Sequence, residues 1–280
     1  MKLSGRSRTP ARGKSLGEVA PALVATILVV VVVLGAAAYF FFWPQSPPPP
    51  PPGPANAEAP RVTPTRSGPL YPVPEEAAAP KPLPELAESD ATIIEALRSL
   101  MGPDPVARFF IPEDLIRHIV ATIDNLPRER FSVRLSPVNL PGGVFRITGR
   151  DETLSIAPDN AARYTPYIRA LESVEPKKVV ELYLRFYPLF QKAYADLGFP
   201  QGYFNDRLVE VIDHLLDAPD LREPVKLASP HVLYEFADPD LESRSAGQKL
   251  LIRMGPDNEA RVKTRLRDIR RELIARAPQR

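Results

Sequence analysis

The sequence of 280 residues contains no cysteine and only three histidines. Without thiols the chain has no disulfide, no lipid-attachment cysteine, no thiolate zinc site and no cysteine nucleophile. The histidines His118, His214 and His231 stand on different predicted elements, and the sequence has no Gly-x-Ser-x-Gly, His-Glu-x-x-His or Walker motif. We therefore expect no cofactor, no metal and no catalysis. A pair of carboxylates that meet only in the fold stays open as an alternative.

Charge is absent from one long stretch, residues 19–43, with the sequence VAPALVATILVVVVVLGAAAYFFFW. At ~1.5 Å per residue, a helix of this length crosses the ~30 Å hydrocarbon core of a bilayer. Basic residues precede the stretch, whereas the first twenty or so residues after it contain only Arg61. Since positive charge stays in the cytoplasm, we predict a single-pass protein of the cytoplasmic (inner) membrane, with its N-terminus inside and a periplasmic C-terminal domain.

A cleaved signal peptide is the competing interpretation of the same stretch. Residues 23–33 would form its apolar core and the small residues 36–38 its cleavage site. The aromatic residues 39–43 prolong the apolar run beyond that site and suit a membrane interface, which favours an uncleaved anchor. The net charge of +2 is too small to imply an acidic partner by itself, and an exported domain is not expected to bind nucleic acid.

Long apolar runs are missing on both sides of the predicted anchor. Residues 1–18 are predicted to be a basic, disordered cytoplasmic tail. Many of the 35 prolines lie between positions 44 and 84, beginning with the run 47–52, and predict an extended, disordered spacer of the polyproline type. A proline-rich ligand for a groove on a partner is the alternative interpretation of this segment.

Residues 85–280 are predicted to form one folded domain of the α+β class, mostly helical with a small antiparallel sheet. Apolar periodicity and helix-start signals predict helices at 90–100, from 112, at 159–171, at 176–197, from 205, at 238–254 and from 256. Pro188 should kink or break the apolar helix 176–197, which is expected to be the central one. Short alternating stretches predict a meander of strands at 131–135, 144–149 and 153–156, and two more strands at 225–227 and 232–236.

Several long blocks of the domain carry a resemblance to a known family. They include PLPELAESD at 82–90, FFIPEDLIRHIVATIDNLPRER at 109–130, YLRFYPLFQKAYADLGFPQGYFNDRLVEVIDHLL at 183–216 and YEFADPDLESRSAGQKLLIRMGP at 234–256. The chain resembles, over most of residues 82–275, a bacterial family of single-pass envelope proteins known only as a domain of unknown function. The resemblance implies an envelope location and a mostly helical exported domain, and it brings no catalytic residue.

One candidate interaction surface follows a glycine-rich loop and consists of Tyr203, Phe204, Asn205, Asp206 and Arg207. The loop delivers aromatic and polar side chains to a helix N-terminus, where free amides attract anions and an arginine can form a fork with a carboxylate. In the alternative interpretation Asn205 caps the helix, Phe204 packs on the core, and Arg207 pairs with an acid on its own helix.

A second candidate surface is the basic C-terminal region, represented by Arg261 and Arg265. Basic residues outnumber acids over 244–280, and this surplus suits docking to an acidic protein or an anionic envelope polymer. The pairs Glu259 with Lys263 and Glu272 with Arg276 are spaced i, i+4, which instead indicates a solvated helix face.

Acidic residues recur on one side of the predicted helix after Tyr203. These are Asp206, Glu210, Asp213 and Asp217, and His214 lies beside them. A carboxylate and a histidine one turn apart can bind a divalent cation, but one histidine without further ligands favours a solvated face.

The sequence thus predicts a membrane-anchored envelope protein that presents a periplasmic interaction domain, an adaptor or scaffold, to another envelope protein or a cell-wall polymer. The alternative is a periplasmic hydrolase or ligand-binding domain that acts on a cell-wall component and uses acids such as Glu210 and Asp213.

Overall fold

The computed structural model describes residues 68–74, 82–222, 224–229 and 233–277. The predicted tail and anchor, most of the predicted spacer, and His231 lie outside these ranges. Within them, no helix is both long enough and apolar enough to cross a membrane.

Helices make up most of the described domain, which confirms the predicted mostly helical class. In chain order they are α1 (Asp90–Met101), α2 (Pro103–Phe109), α3 (Leu115–Asn125), α4 (Thr165–Glu172), α5 (Pro176–Asp196), α6 (Phe204–Leu216), α7 (Pro239–Glu242), α8 (Ala246–Arg253) and α9 (Pro256–Ala275). Short 3₁₀ turns lie at Leu86–Glu88, Val133–Leu135, Asp151–Thr153 and Pro158–Arg163.

Helix α5 is central, as its sequence predicts. It packs against α3, α6 and α9, and buries Val180, Phe186 and Phe190 among them. The prediction that Pro188 divides this helix is wrong, because α5 continues through it as one helix. Large buried side chains flank the proline on both sides, and their packing offsets the one backbone hydrogen bond that proline cannot make.

Four two-residue strands form two small antiparallel pairs. Strand β1 (Ile147–Thr148) pairs antiparallel with β2 (Ser155–Ile156), and β3 (Leu227–Ala228) pairs antiparallel with β4 (Glu235–Phe236). A bridge between Ser155 and Lys226 links the two pairs. The small antiparallel sheet is therefore confirmed. Its apolar face, with Leu227 and Phe236 buried beside Ile252, forms a core separate from the one around α5.

The prediction that residues 131–135 form the first strand of the meander is wrong. Its C-terminal half forms the 3₁₀ turn Val133–Leu135, and Thr122 donates a hydrogen bond to the carbonyl of Leu135 at 2.8 Å. Phe131 is buried against Ala246 at the start of α8. An alternating pattern forms a strand only where a partner strand is available. Residues 131–135 pack against α3 and α8 instead, and this packing determines their conformation.

Helix α3 begins at Leu115, three residues after the predicted start. Helix α2 was not predicted from the sequence. Asp114 adopts a left-handed φ of 49°, which keeps it out of the helix. The carboxylate of Asp90, in the first turn of α1, accepts hydrogen bonds from the amides of Asp114 at 2.8 Å and Leu115 at 3.0 Å. One helix start thus provides the cap for another.

The single helix predicted over 238–254 is divided into α7 and α8. Ser245 caps α8 by accepting a hydrogen bond from the amide of Gln248 at 3.2 Å. Gly247 lies in the first turn of α8, and a Cβ at this position would come within 2.6 Å of Leu215. Its amide donates to the carbonyl of Leu126 at 2.9 Å. Glycine is needed here because α8 approaches α3 and α6 closely.

Candidate interaction site

A short piece of the predicted spacer lies on the folded domain. Residues 68–74, Gly-Pro-Leu-Tyr-Pro-Val-Pro, contact the start of α6, and the side chains of Tyr71 and Val73 pack against the main core. The interpretation of 44–84 as a spacer alone omits this contact. We call residues 68–74 the docked segment.

Asp206 and Asn205 hold the backbone of the docked segment. The carboxylate of Asp206 accepts hydrogen bonds from two successive amides, that of Leu70 at 2.7 Å and that of Tyr71 at 2.8 Å. The side-chain amide of Asn205 donates to the carbonyl of Tyr71 at 2.8 Å. Both backbone polar groups of Tyr71 are thus bound from a single helix turn. We call Asn205 and Asp206 the backbone clamp.

The interpretation of Asn205 as a helix cap is wrong. Asn205 lies inside the first turn of α6, is 2% exposed, and accepts a hydrogen bond from the hydroxyl of Tyr183 at 3.1 Å. Gln191 of α5 provides the cap, because its side-chain oxygen accepts from the amide of Phe204 at 2.9 Å. The same oxygen accepts from the hydroxyl of Tyr187 at 2.9 Å. The side chain of Asn205 is therefore oriented by α5, through Tyr183, and by the docked segment, through Tyr71.

Aromatic side chains surround the backbone clamp. Phe204 is fully buried and stacks on Phe190, with ring centres 5.7 Å apart, as the packing interpretation expects. Burial raises the pKa of Tyr187 to about 12, and burial also raises the pKa of Tyr183 well above its usual value. Both phenols are therefore neutral hydrogen-bond donors at physiological pH, next to the carboxylate of Asp206.

Arg207 faces away from this surface and into the protein. Its guanidinium donates to the carboxylate of Asp124 at 3.0 Å and to the Asp124 carbonyl at 2.9 Å, and it pairs with Glu210 at 3.0 Å. The side chain of Asp124 is 3% exposed and also binds Arg128. The predicted pairing within the helix is confirmed for Glu210, and because Asp124 and Glu210 engage the guanidinium, its predicted role as a fork for a ligand gains no support.

The loop between α5 and α6 exposes apolar side chains beside the clamp. Leu197 is 42% exposed, Phe199 is 37% exposed and Tyr203 is 40% exposed. Phe199 is held in place by stacking on Tyr194, with ring centres 4.7 Å apart. We call Leu197, Phe199 and Tyr203 the apolar rim. Clustered exposed apolar groups are typical of interaction sites.

The basic side chains of the second candidate surface, represented by Arg261 and Arg265, bind neighbouring helices of the same domain. Arg261 forms a two-point ion pair with Glu172 at the end of α4, and Arg265 donates to the carbonyl of Glu172 at 2.6 Å. Arg270 pairs in the same way with Asp213 of α6. These basic side chains hold α9 to its neighbours, so a docking surface for an acidic partner gains no support from them.

The acidic row on α6 serves several separate purposes. Asp206 binds the docked segment, Glu210 pairs with Arg207, and Asp213 pairs with Arg270. In the described part of the chain, no group of three or more histidine, cysteine or acidic residues is arranged to hold a metal ion.

A histidine–serine contact that was not predicted from the sequence lies beside the acidic row on α6. The Nε2 atom of His214 is 2.8 Å from the hydroxyl of Ser245, and Gln248 donates to the carbonyl of His214 at 2.8 Å. Ser245 is 6% exposed and already caps α8. The serine therefore serves a helix start, and no sequence signal links two residues 31 positions apart.

His214 should make stability fall as the pH drops below the ordinary histidine pKa of 6.5. Burial lowers the pKa of its imidazole below 6.5, and Arg207 and Arg244 add to this effect, against Asp217 and Glu210. The unfolded chain then binds the proton more readily, so stability is lost as the pH falls below 6.5. We expect the melting temperature to fall over this range and the fall to be smaller in His214→Gln. Equal slopes in both proteins would contradict this assignment.

A cavity of about 280 Å³ lies between the sheet and the start of α9. Ile156, Leu221 and Ile252 line it, together with the guanidinium-bearing Arg253. Arg253 is 3% exposed, its guanidinium carbon is 4.9 Å from the centre of the Phe236 ring, and burial lowers its pKa to about 10. The volume suits a small molecule.

Comparison with known proteins gives one match. A family described as "Protein of unknown function (DUF3014)" matches residues 115–270. No curated protein and no solved structure matches the chain. The match includes the backbone clamp and the apolar rim, whereas the docked segment lies before it.

Proposed function

Because this chain belongs to the DUF3014 family, whose function is unknown, we propose a function from the chain itself: it is a membrane-anchored envelope protein that presents a non-catalytic interaction domain. The domain acts as an adaptor or scaffold for another envelope protein or a cell-wall polymer. The apolar stretch 19–43 and the basic residues before it support the anchor and its orientation.

One observation carries the adaptor role. The backbone clamp binds a piece of chain that lies outside the family domain, through hydrogen bonds to its main chain. Main-chain hydrogen bonds combined with side-chain pockets are the usual means by which domains bind extended peptides. The apolar rim beside the clamp supplies further exposed surface for a partner.

The alternative function, a hydrolase or ligand-binding domain acting on a cell-wall component, has one supporting observation, the cavity at the start of α9. The acids that the sequence suggests for it are engaged elsewhere, since Glu210 pairs with Arg207 and Asp213 with Arg270. We therefore favour the adaptor.

Photo-crosslinking in cells tests the proposed function. A photoreactive residue at position 203, on the apolar rim, is compared with one at Val144, which is 69% exposed and lies by the sheet. Both are introduced into the full chain, with membrane insertion verified by resistance to alkaline extraction. We expect a discrete adduct from position 203 and none from position 144. An inserted, folded protein that gives no adduct at position 203, or the same adducts at both, would contradict the adaptor.

A further inference from the structure

We infer that the surface formed by the backbone clamp and the apolar rim is a groove for bent, proline-flanked peptides, which the docked segment occupies in cis. The partner is a segment of another protein with the same chemistry: two successive residues with free amides, the second of them aromatic, between prolines. This inference rests on the proposed adaptor function and specifies its ligand.

The clamp recognises main chain more than a particular side chain. All three of its hydrogen bonds to the docked segment involve backbone atoms of Leu70 and Tyr71. The side chain of Leu70 is itself 55% exposed. A peptide with a different residue at this position would present the same amide to Asp206, so the binding mode is transferable to another chain.

The prolines and the aromatic residue supply the selectivity. Pro69, Pro72 and Pro74 each fix their own φ at about −65°, which restricts the chain around Leu70 and Tyr71 before it binds and lowers the entropy lost on binding. Tyr71 and Val73 then pack against the main core, which makes an aromatic and an apolar side chain beside the prolines part of what the surface recognises.

The docked segment leaves part of the surface uncovered. Among the described residues, the large apolar side chains that are exposed are Leu70, Val144, Leu197, Phe199 and Tyr203, and three of these five form the rim. A partner segment that extends beyond the clamp can bury the rim as well. The partner would gain apolar contact area that the docked segment does not use. This gain would allow it to displace the docked segment, although that segment is tethered to the domain.

Peptide binding to the full chain in detergent tests the inference. The probe is a fluorescently labelled peptide with the sequence of residues 66–76, followed by polarisation. In the variant Leu70→Pro/Tyr71→Pro the docked segment loses both amide donors, while every groove residue is kept. We expect the probe to bind this variant at least about tenfold more tightly than the wild-type chain, because its groove is vacated.

Two controls identify the site. A probe carrying proline at both clamped positions should not bind, and Asp206→Ala in the vacated background should abolish binding of the normal probe. Thermal melting verifies that each variant is folded, and if the double-proline chain melts early, Tyr71→Ala, which removes only the packed side chain, takes its place.

Three results would overturn the inference. These are no binding to the vacated groove, equal binding to the wild-type and vacated chains, and a wild-type dimer that becomes monomeric in the vacated variant, which would assign the groove to a second copy. A crosslinked partner at position 203 together with failed peptide binding would leave the adaptor intact and reject only this ligand class. Absence of any adduct would reject the adaptor itself.

Discussion

Replacing Lys263 with methionine is expected to lower the free energy of unfolding by about 3–5 kcal/mol, because the change leaves a buried charge without its partner. Lys263 is 1% exposed, and its ammonium donates to the carbonyl of Ala218 at 2.5 Å and to Asp220 at 2.6 Å. It also lies 2.9 Å from the carboxylate of Glu259, whose side chain is 2% exposed. Denaturant unfolding measures the loss.

The double variant Lys263→Met/Glu259→Leu is the matched control. Removing both charges should restore much of the stability, since buried ion pairs contribute little net stability compared with apolar residues of similar size. Burial raises the pKa of Glu259, so its charged form disfavours the fold increasingly as the pH rises above 4.5. The cost of Lys263→Met should therefore be smaller at pH 5 than at pH 8. A cost that is independent of pH, without recovery in the double variant, would contradict the ion-pair explanation.

Arg207→Met should cost about 2–4 kcal/mol of unfolding free energy, because Asp124 then keeps only Arg128 as a charged partner. Arg207→Lys should recover only part of the loss, since a lysine cannot donate to the carboxylate and the carbonyl of Asp124 with the geometry of a guanidinium. Chemical denaturation of the two variants measures the difference.

The exposed pair of Arg117 with Asp196, at 3.3 Å, supplies the comparison. Arg117→Met should change stability by less than about 1 kcal/mol, because solvent screens this pair. If Arg207→Met kept full stability but lost the adduct formed from position 203, then Arg207 would contact a partner as the sequence suggests, and its assignment to the interior would be wrong.

Helices could be predicted from the sequence where apolar residues repeat at helical spacing, as in α5, α6 and α9. Helix α2 was missed because Gly102-Pro103 is a typical helix stop, although a proline also fits the first turn of a new helix. The prediction of a strand at 131–135 was wrong for a different reason. Its alternation fits a strand, but its conformation is decided by contacts with Thr122 and Ala246, which are distant in sequence.

Only part of the candidate site could be predicted from the sequence. The sequence placed Asn205 and Asp206 on an accessible helix start, but their ligands, the backbone groups of Leu70 and Tyr71, are some 135 residues away. No local pattern encodes such a contact. The pair of Glu259 with Lys263 was predicted from its i, i+4 spacing, yet the pair is buried rather than solvated. Spacing shows which side chains can meet, whereas burial depends on the rest of the fold.

The order of prolines in the docked segment determines how far the segment can slide. Asp206 needs two neighbouring N–H groups, and among residues 68–74 only Leu70 and Tyr71 follow one another without an intervening proline. Every shift within these residues would bring a ring nitrogen without hydrogen to one of the carboxylate oxygens. The segment 68–74 therefore has one alignment on α6, so the preceding chain joins the domain at a single fixed point rather than at a range of interchangeable positions.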